Sequence, residues 1–142
     1  MLESFHPAVR AWFASRFPAG PTEPQAAGWQ EIAAGRHTLI AAPTGSGKTL
    51  AAFLVCIDRF YRAHDLACPH DLYCGHDAEA APGPQPAPGP QVVYVSPLKA
   101  LAVDIWQNLE RPLREIAETA AGLGLSAPDI RVAVRTLSLI HI

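Results

Sequence analysis

Lysine is almost absent from this 142-residue chain: Lys48 and Lys99 are the two copies, and every other cationic side chain is arginine or histidine. Charge as a whole is scarce. Charged residues make up 17% of the sequence and the net charge is −2, which excludes a basic coat protein held on nucleic acid by bulk attraction. It does not exclude a protein that grips a few phosphates in a local groove. Cysteine is also sparse: Cys56, Cys68 and Cys74 are an odd set, which argues against a disulfide framework. Cys68, His70, Cys74 and His76 lack the paired C-x-x-C spacing of a zinc site, and a loop with scattered cysteines and histidines is the better reading. No apolar run approaches the roughly 20 residues that cross a bilayer. The first residues include Glu3 and show no apolar stretch followed by a small-residue cleavage site, so a cytoplasmic protein without a membrane anchor is expected. No internal repeat is visible, and the length suits one domain with one core.

What is present is an alternation of helical and strand-like segments. Val9, Trp12, Phe13 and Phe17 recur at helical spacing in a helix expected over Pro7–Arg16, with proline in its first turn. Thr22-Glu23-Pro24-Gln25 has the form of a capping box opening a second helix, which carries Trp29 and Ile32 on one face and ends at Gly35. The run TLIAA (38–42) suits a buried strand, and a helix from Lys48 to about Arg62 follows it. Residues 64–91, ending in APGPQPAPGP, are expected to form a flexible or polyproline-like surface excursion. VVYV (92–95) is a second strand candidate. After it comes a helix from about Leu101 to Glu110, which Pro112 either kinks or restarts as far as Ala121. IRVAV (130–134) is a third strand candidate. Strand, helix, strand, helix, strand implies an α/β fold with a parallel sheet covered on both faces and ligand at the carboxyl ends of the strands.

The segment Ala42-Pro43-Thr44-Gly45-Ser46-Gly47-Lys48-Thr49 follows the phosphate-loop pattern, with alanine in place of the first glycine. Each residue type has a physical task there. Gly45 and Gly47 permit positive φ and a close backbone approach. Successive amides then face one concavity, and the next helix points its positive end at the same spot. Lys48 is placed to reach the terminal phosphates, and the Thr49 hydroxyl to ligate Mg²⁺. Thr44, Gly45, Ser46, Gly47, Lys48 and Thr49 are therefore the candidate nucleotide-binding residues.

In this context the run HTLIAAPTGSGKTLAAF (37–53) resembles motif I of the superfamily 2 helicases, which commonly carry alanine at the position of Ala42. Phe17 and Pro21-Thr22-Glu23-Pro24-Gln25 resemble the Q motif, and VVYVSPLKALAVDIWQNLERPL (92–113) resembles motif Ia, with wording nearest the large helicase-related (Lhr) group. The three motifs in order cover about Phe13 to Thr136, apart from the proline-rich excursion. The resemblance implies a RecA-like P-loop NTPase domain, here its N-terminal portion (1–136), in an ATP-dependent helicase acting on nucleic acid, DNA above all. It implies ATP and Mg²⁺ as cofactors, Gln25 reading the adenine edge and Phe17 stacking on the ring. It also implies strand phosphates held by Ser96, Pro97 and Lys99, while Trp106 is expected to pack in the helix face. A glutamine amide offers a donor and an acceptor, which suits the N6/N7 edge of adenine. Phosphate contacts of the motif Ia kind carry no base information.

Two other readings stay open on the residues. A different P-loop enzyme, such as a transporter ATPase or a small-molecule kinase, would share motif I, but it would lack the Gln25 element and the PLKAL segment. A non-catalytic fragment would leave an exposed sheet edge and an adhesive apolar face. The family pattern also departs here in two respects. No DExH-type acidic motif and no second RecA-like domain with its arginine finger are present. After Val134-Arg135-Thr136, residues 137–142 do not continue as motif Ib, and they are read as a tail foreign to the domain. Phosphoryl transfer depends on such positioned charges for most of its rate. The isolated chain is therefore expected to bind ATP weakly and to show no nucleic-acid-stimulated phosphate release in a steady-state ATPase assay.

Overall fold

Proline at its first position and an imidazole at its cap set the start of α1 (Pro7–Arg16). The computed structural model describes residues 2–43, 45–67, 89–96 and 99–135, with the side chains of 99–105 and 107 excepted. Thr44, the Cys68–His76 group, Pro97, most of the proline-rich excursion and the 137–142 tail lie outside the described residues. A 3-10 turn (Leu2–Ser4) precedes α1, and α2 (Glu23–Ala33), α3 (Lys48–Ala67) and α4 (Lys99–Gly122) follow.

Each helix buries the stripe that its sequence spacing dictates. Helix α1 turns Ala8, Val9, Trp12 and Phe13 inward. Helix α2 buries Gln25, Gly28 and Trp29. Helix α3 buries Ala51, Phe53, Leu54, Val55, Ile57, Asp58 and Tyr61. On α4, Ile116 and Ala120 are buried, and Leu109 and Leu113 pack against the same core. Helix α1 lies chiefly on α4, α2 chiefly on α3, and α3 touches both α1 and α4. Trp29, fully buried, is the hub. Its ring meets Phe5 edge-on at 5.0 Å and Phe13 edge-on at 5.4 Å, and its Nε1–H donates to the Ala51 carbonyl at 3.0 Å. Edge-to-face aromatic packing adds to the area effect, and the indole N–H has the partner that burial requires.

One helix boundary differs from the sequence expectation, and one alternative the sequence left open, at Pro112, is decided. Helix α3 continues past Arg62 to Ala67, taking in the first residues assigned to the surface excursion. The added turn is anchored by Asp65, whose Oδ2 accepts from His6 Nε2 at 2.8 Å. His6 Nδ1 accepts the Ala8 N–H at 3.2 Å, which leaves Nε2 to carry the ring hydrogen. The His6 backbone N–H donates to Asp58 Oδ1 at 2.5 Å, and Arg62 Nε donates to Asp58 Oδ2 at 2.6 Å. Helix α4 runs through Pro112 as one helix. Proline removes the N–H that would bond the Asn108 carbonyl. Core packing of Leu109 and Leu113 on either side, together with the Arg111–Glu115 pair that straddles the proline, outweighs that loss.

The three strand candidates run as non-helical segments, and none of them is paired into a sheet among the described residues. Their side chains nevertheless alternate. Ile40 packs against the core while Leu39 is 93% exposed. Tyr94 lies on Phe53 at 5.4 Å while Val93 and Val95 are 76% and 83% exposed. A parallel strand needs main-chain partners on its flanks and cover on both faces. One face here is covered by the helices. Gly28 shows how closely: a Cβ there would meet Ile40 Cδ1 at 2.7 Å. The opposite face has no cover among the described residues.

Replacing Trp29 with alanine removes the hub, its two ring contacts and the Ala51 bond together. A loss of about 3–5 kcal/mol in a urea melt is expected, with the helical signal disappearing in one transition at lower denaturant.

Candidate nucleotide-binding site

The loop between Ile40 and α3 has the backbone its glycines forecast. Gly45 and Gly47 adopt φ of +81° and +79°, and the Ser46 N–H closes the turn onto the Pro43 carbonyl at 3.3 Å. Helix α3 begins at once: the Gly47 carbonyl accepts the Ala51 N–H at 2.9 Å, so the free amides of the first turn point out over the loop. Lys48 folds back, its Nζ donating to the Pro43 carbonyl at 2.6 Å and to the Ala42 carbonyl. An ammonium whose partners among the described residues are two neutral carbonyls is available to a phosphate, which offers a charge-assisted bond in their place. Thr49 is exposed on the first turn of α3. The Ser46 hydroxyl is buried and has no hydrogen-bond partner among the described residues, an orphan of the kind that a ligand satisfies. Two left-handed glycines, an orphan hydroxyl, a loosely held lysine and a helix N-terminus fit a Mg²⁺-bound nucleoside triphosphate.

The structure brings Gln25 to this loop. Its side chain is buried, with Oε1 accepting the Thr22 N–H at 2.9 Å, the N3 arm of the capping box. Nε2 donates to the Gly47 carbonyl at 3.4 Å, and the Thr22 hydroxyl donates to the Ser46 carbonyl at 3.3 Å. The cap of α2 thus sits directly on the phosphate loop. The longer bond to Gly47 is the weaker one, so that amide end is the one free to exchange partners. Phe17, the other expected base contact, caps the end of α1, half-buried on Phe13 at 4.8 Å and on Trp12 at 6.1 Å. It belongs to the aromatic cluster and keeps part of its ring open.

The expected nucleic-acid element is only partly described. Ser96 follows the 92–95 segment with a buried hydroxyl that lacks a partner among the described residues, Pro97 lies outside the described residues, and Lys99 is the first residue of α4. Trp106 is half-buried, in the first half of that helix. Among the described residues no group of three or more histidine, cysteine or acidic side chains is placed to hold a metal ion, and no helix is long and apolar enough to cross a membrane.

Two polar constellations escaped the sequence reading. One is His6 with Asp58, Asp65 and Arg62, which pins the start of α1 to the far half of α3. The other is Trp12 with Glu115 and Arg111, which joins α1 to α4. The i,i+4 pairs Asp58–Arg62 and Arg111–Glu115 were visible as spacing. The links to His6 and Trp12 span 52 to 103 residues and leave no local signal. Hydrogen bonds from Arg111 and Trp12 hold the Glu115 carboxyl below the usual carboxylate range. Burial pushes the Cys56 thiol up and the Tyr61 phenol up to about 12, so neither is poised to react.

Gly47→Ala tests the contact between cap and loop. A Cβ at Gly47 would meet Gln25 Nε2 at 2.4 Å, and the backbone there is left-handed. The variant is expected to melt about 1–2 kcal/mol earlier from the backbone penalty alone, and earlier still from the clash. Adding Gln25→Ala should restore the clash portion and leave the backbone portion, as read from a double-mutant cycle of denaturant melts.

Residues 22–142 match the family model described as DEAD/DEAH box helicase. Among curated proteins the chain is 47% identical over 135 residues to the Lhr helicase/probable uracil glycosylase of Mycolicibacterium smegmatis, covering 95% of this chain and 8% of that protein. It is 43% identical to the ATP-dependent helicase Lhr-Core protein 2 of Thermococcus barophilus, covering 90% of this chain and 13% of that one. It is 39% identical to the Lhr helicase/uracil glycosylase of Escherichia coli, covering 93% and 8%. The chain therefore spans about a tenth of the length of these relatives. A solved structure, that of Mycobacterium smegmatis helicase Lhr bound to ssDNA and AMP-PNP, matches with a TM-score of 0.71 at 47% identity, over 94% of this chain and 14% of that one. The match implies a RecA-like fold, of which the described residues form the helical part. Phosphate-loop geometry, the docked Gln25 cap and the span of the family match lead to one assignment: the chain belongs to the DEAD/DEAH box helicase family.

Proposed function

We propose that this chain is the ATP-binding front portion of an ATP-dependent helicase of the Lhr kind, working on single-stranded DNA. The observation that carries the proposal is the seating of the α2 cap on the phosphate loop, with Gln25 on Gly47 and Thr22 on Ser46. A P-loop enzyme of another class has no need of this contact. It places an amide side chain beside the loop that receives the phosphates, where a base attached to those phosphates would lie.

In this reading the amides of Gly45, Ser46 and Gly47, with Thr44, surround the β- and γ-phosphates. Lys48 exchanges its two carbonyl partners for phosphate oxygens. The Thr49 hydroxyl, exposed at the start of α3, would hold Mg²⁺, which when bound with ATP neutralises charge on the phosphate oxygens. Gln25 gives up its long bond to Gly47 and turns donor and acceptor toward the adenine edge, while Phe17 offers its open face to the ring. Ser96, Pro97 and Lys99 meet the phosphates of the strand. Closure and opening of a cleft between this domain and a second one then moves the strand along. Leu39, Val93 and Val95 are exposed apolar side chains suited to burial against further elements of the same helicase domain.

Lys48→Ala in the full-length protein is expected to lower DNA-stimulated ATP hydrolysis about a hundredfold or more. Far-ultraviolet circular dichroism and the cooperativity of melting should stay as in the wild type. Hydrolysis that survives this substitution in a folded protein would overturn the proposal.

A further inference from the structure

Gln25 and Trp29 lie one turn apart on the buried face of α2, and Gly47 and Ala51 lie one turn apart where α3 begins. Three hydrogen bonds join the four residues. Trp29 Nε1–H donates to the Ala51 carbonyl at 3.0 Å, and the Ala51 N–H donates to the Gly47 carbonyl at 2.9 Å. Gln25 Nε2 donates to that same Gly47 carbonyl at 3.4 Å. Because Gln25 and Trp29 share a helical turn, the bonds close a ring that matches α2 to α3 turn for turn. The Gln25 arm is near the outer limit of a hydrogen bond, so a small slide of α2 would part it. Its approach is also close. A Cβ on Gly47 would meet Gln25 Nε2 at 2.4 Å, so the amide occupies space that glycine leaves open.

The two arms of the ring differ in what they can release. Gln25 holds Gly47 by the weaker bond and exchanges it for a base in the reading given above. Trp29 is wholly buried between Phe5 and Phe13, and an indole N–H left unpaired there would bear the full cost of its desolvation. When Gln25 leaves Gly47, the indole bond is the arm that stays. Without it, the middle of α2 would be held by apolar contacts, which are not directional. We propose that Trp29 is a positioning residue for base selection: its bond to Ala51 holds the Gln25 amide at the depth where it separates adenine from guanine. The inference rests on the role given to Gln25 under the proposed function. Adenine presents the N6 donor beside the N7 acceptor, which an amide oxygen and N–H match. Guanine presents O6 in place of N6, so the amide oxygen would face another acceptor. A paired contact of this kind works only within about 0.5 Å of its geometry.

The test uses the full-length protein in DNA-stimulated, steady-state hydrolysis of ATP and of GTP. The wild type is expected to favour ATP in kcat/KM by on the order of tenfold. Trp29→Phe keeps an aromatic ring in the hub and removes the N–H. Its KM for ATP should rise about fivefold, with kcat within about twofold and the kinetics with GTP unchanged. Ile116→Val, which loosens the same core from α4, should lower the melting temperature and keep the preference for ATP. If Trp29→Phe does not fold, benzothienylalanine at position 29 keeps the shape of the indole without its N–H and should give the same rise in KM. Full preference for ATP in a folded variant of either kind overturns the proposal. So does an equal loss with both nucleotides, which would mark Trp29 as structural alone. Gln25→Ala tells this failure from failure of the underlying reading. Preference lost in Gln25→Ala but kept in Trp29→Phe leaves Gln25 as the base reader and removes Trp29 from the role. Preference kept in Gln25→Ala, or absent from the wild type, sinks the reading of Gln25 and this inference with it.

Discussion

Everything in the site depends on how α2 is seated against the start of α3. Trp29 sets the depth: its indole is buried among Phe5 and Phe13 and bonds the Ala51 carbonyl one turn into α3. Gln25, four residues earlier on the same helix face, is then brought to the Gly47 carbonyl, and Thr22 to that of Ser46. The apolar burial supplies the driving force, and the hydrogen bonds supply the register, because a helix shifted by one residue would bury Trp29 without a partner for its N–H. Gly28 removes the Cβ that would hold Ile40 away, so the segment leading into the loop lies in the same packed layer.

Among the described residues the phosphate loop has few internal partners: Lys48 bonds carbonyl oxygens, and the Ser46 hydroxyl has no partner. A loop that satisfied its own groups fully would have nothing to offer an anion. The cost of an unpaired buried hydroxyl, about 1–3 kcal/mol, is tolerable because α2 and α3 hold the flanks. The same division runs through the molecule. The polar ties that hold helix to helix, His6 to Asp58 and Asp65 and Trp12 to Glu115, are complete and lie away from the loop. Among the described residues the incomplete ones are in the loop and at Ser96.

Much of this was legible from residue type and spacing, because the signals are local. Pro7 marks the start of α1, the Thr22–Gln25 box marks the start of α2, and the glycines at 45 and 47 demand the left-handed backbone they adopt. The order of the Q-like element, motif I and motif Ia pointed to the helicase family that the comparisons show. Less legible were the ends of helices that long-range contacts extend. His64 to Ala67 carry no strong helical signal before the proline-rich stretch, yet they are helical, with Asp65 bonded to His6, 59 residues away. Pro112 was an ambiguous break because its local cost is certain while the packing that offsets it is not local.

The chain by itself determined the phosphate-loop chemistry, the caps and the helical faces, since each is set by the conformational limits or hydrogen-bonding capacity of residues within one or two turns. Only the tertiary structure decided that Gln25 meets Gly47, that Lys48 turns back on its own loop, and that Trp12 reaches Glu115. The strand candidates show the same limit from the other side. Their apolar alternation is written in the sequence, but a ladder forms only between neighbouring backbones, and pairing of that kind is a property of what surrounds a segment, not of the segment itself.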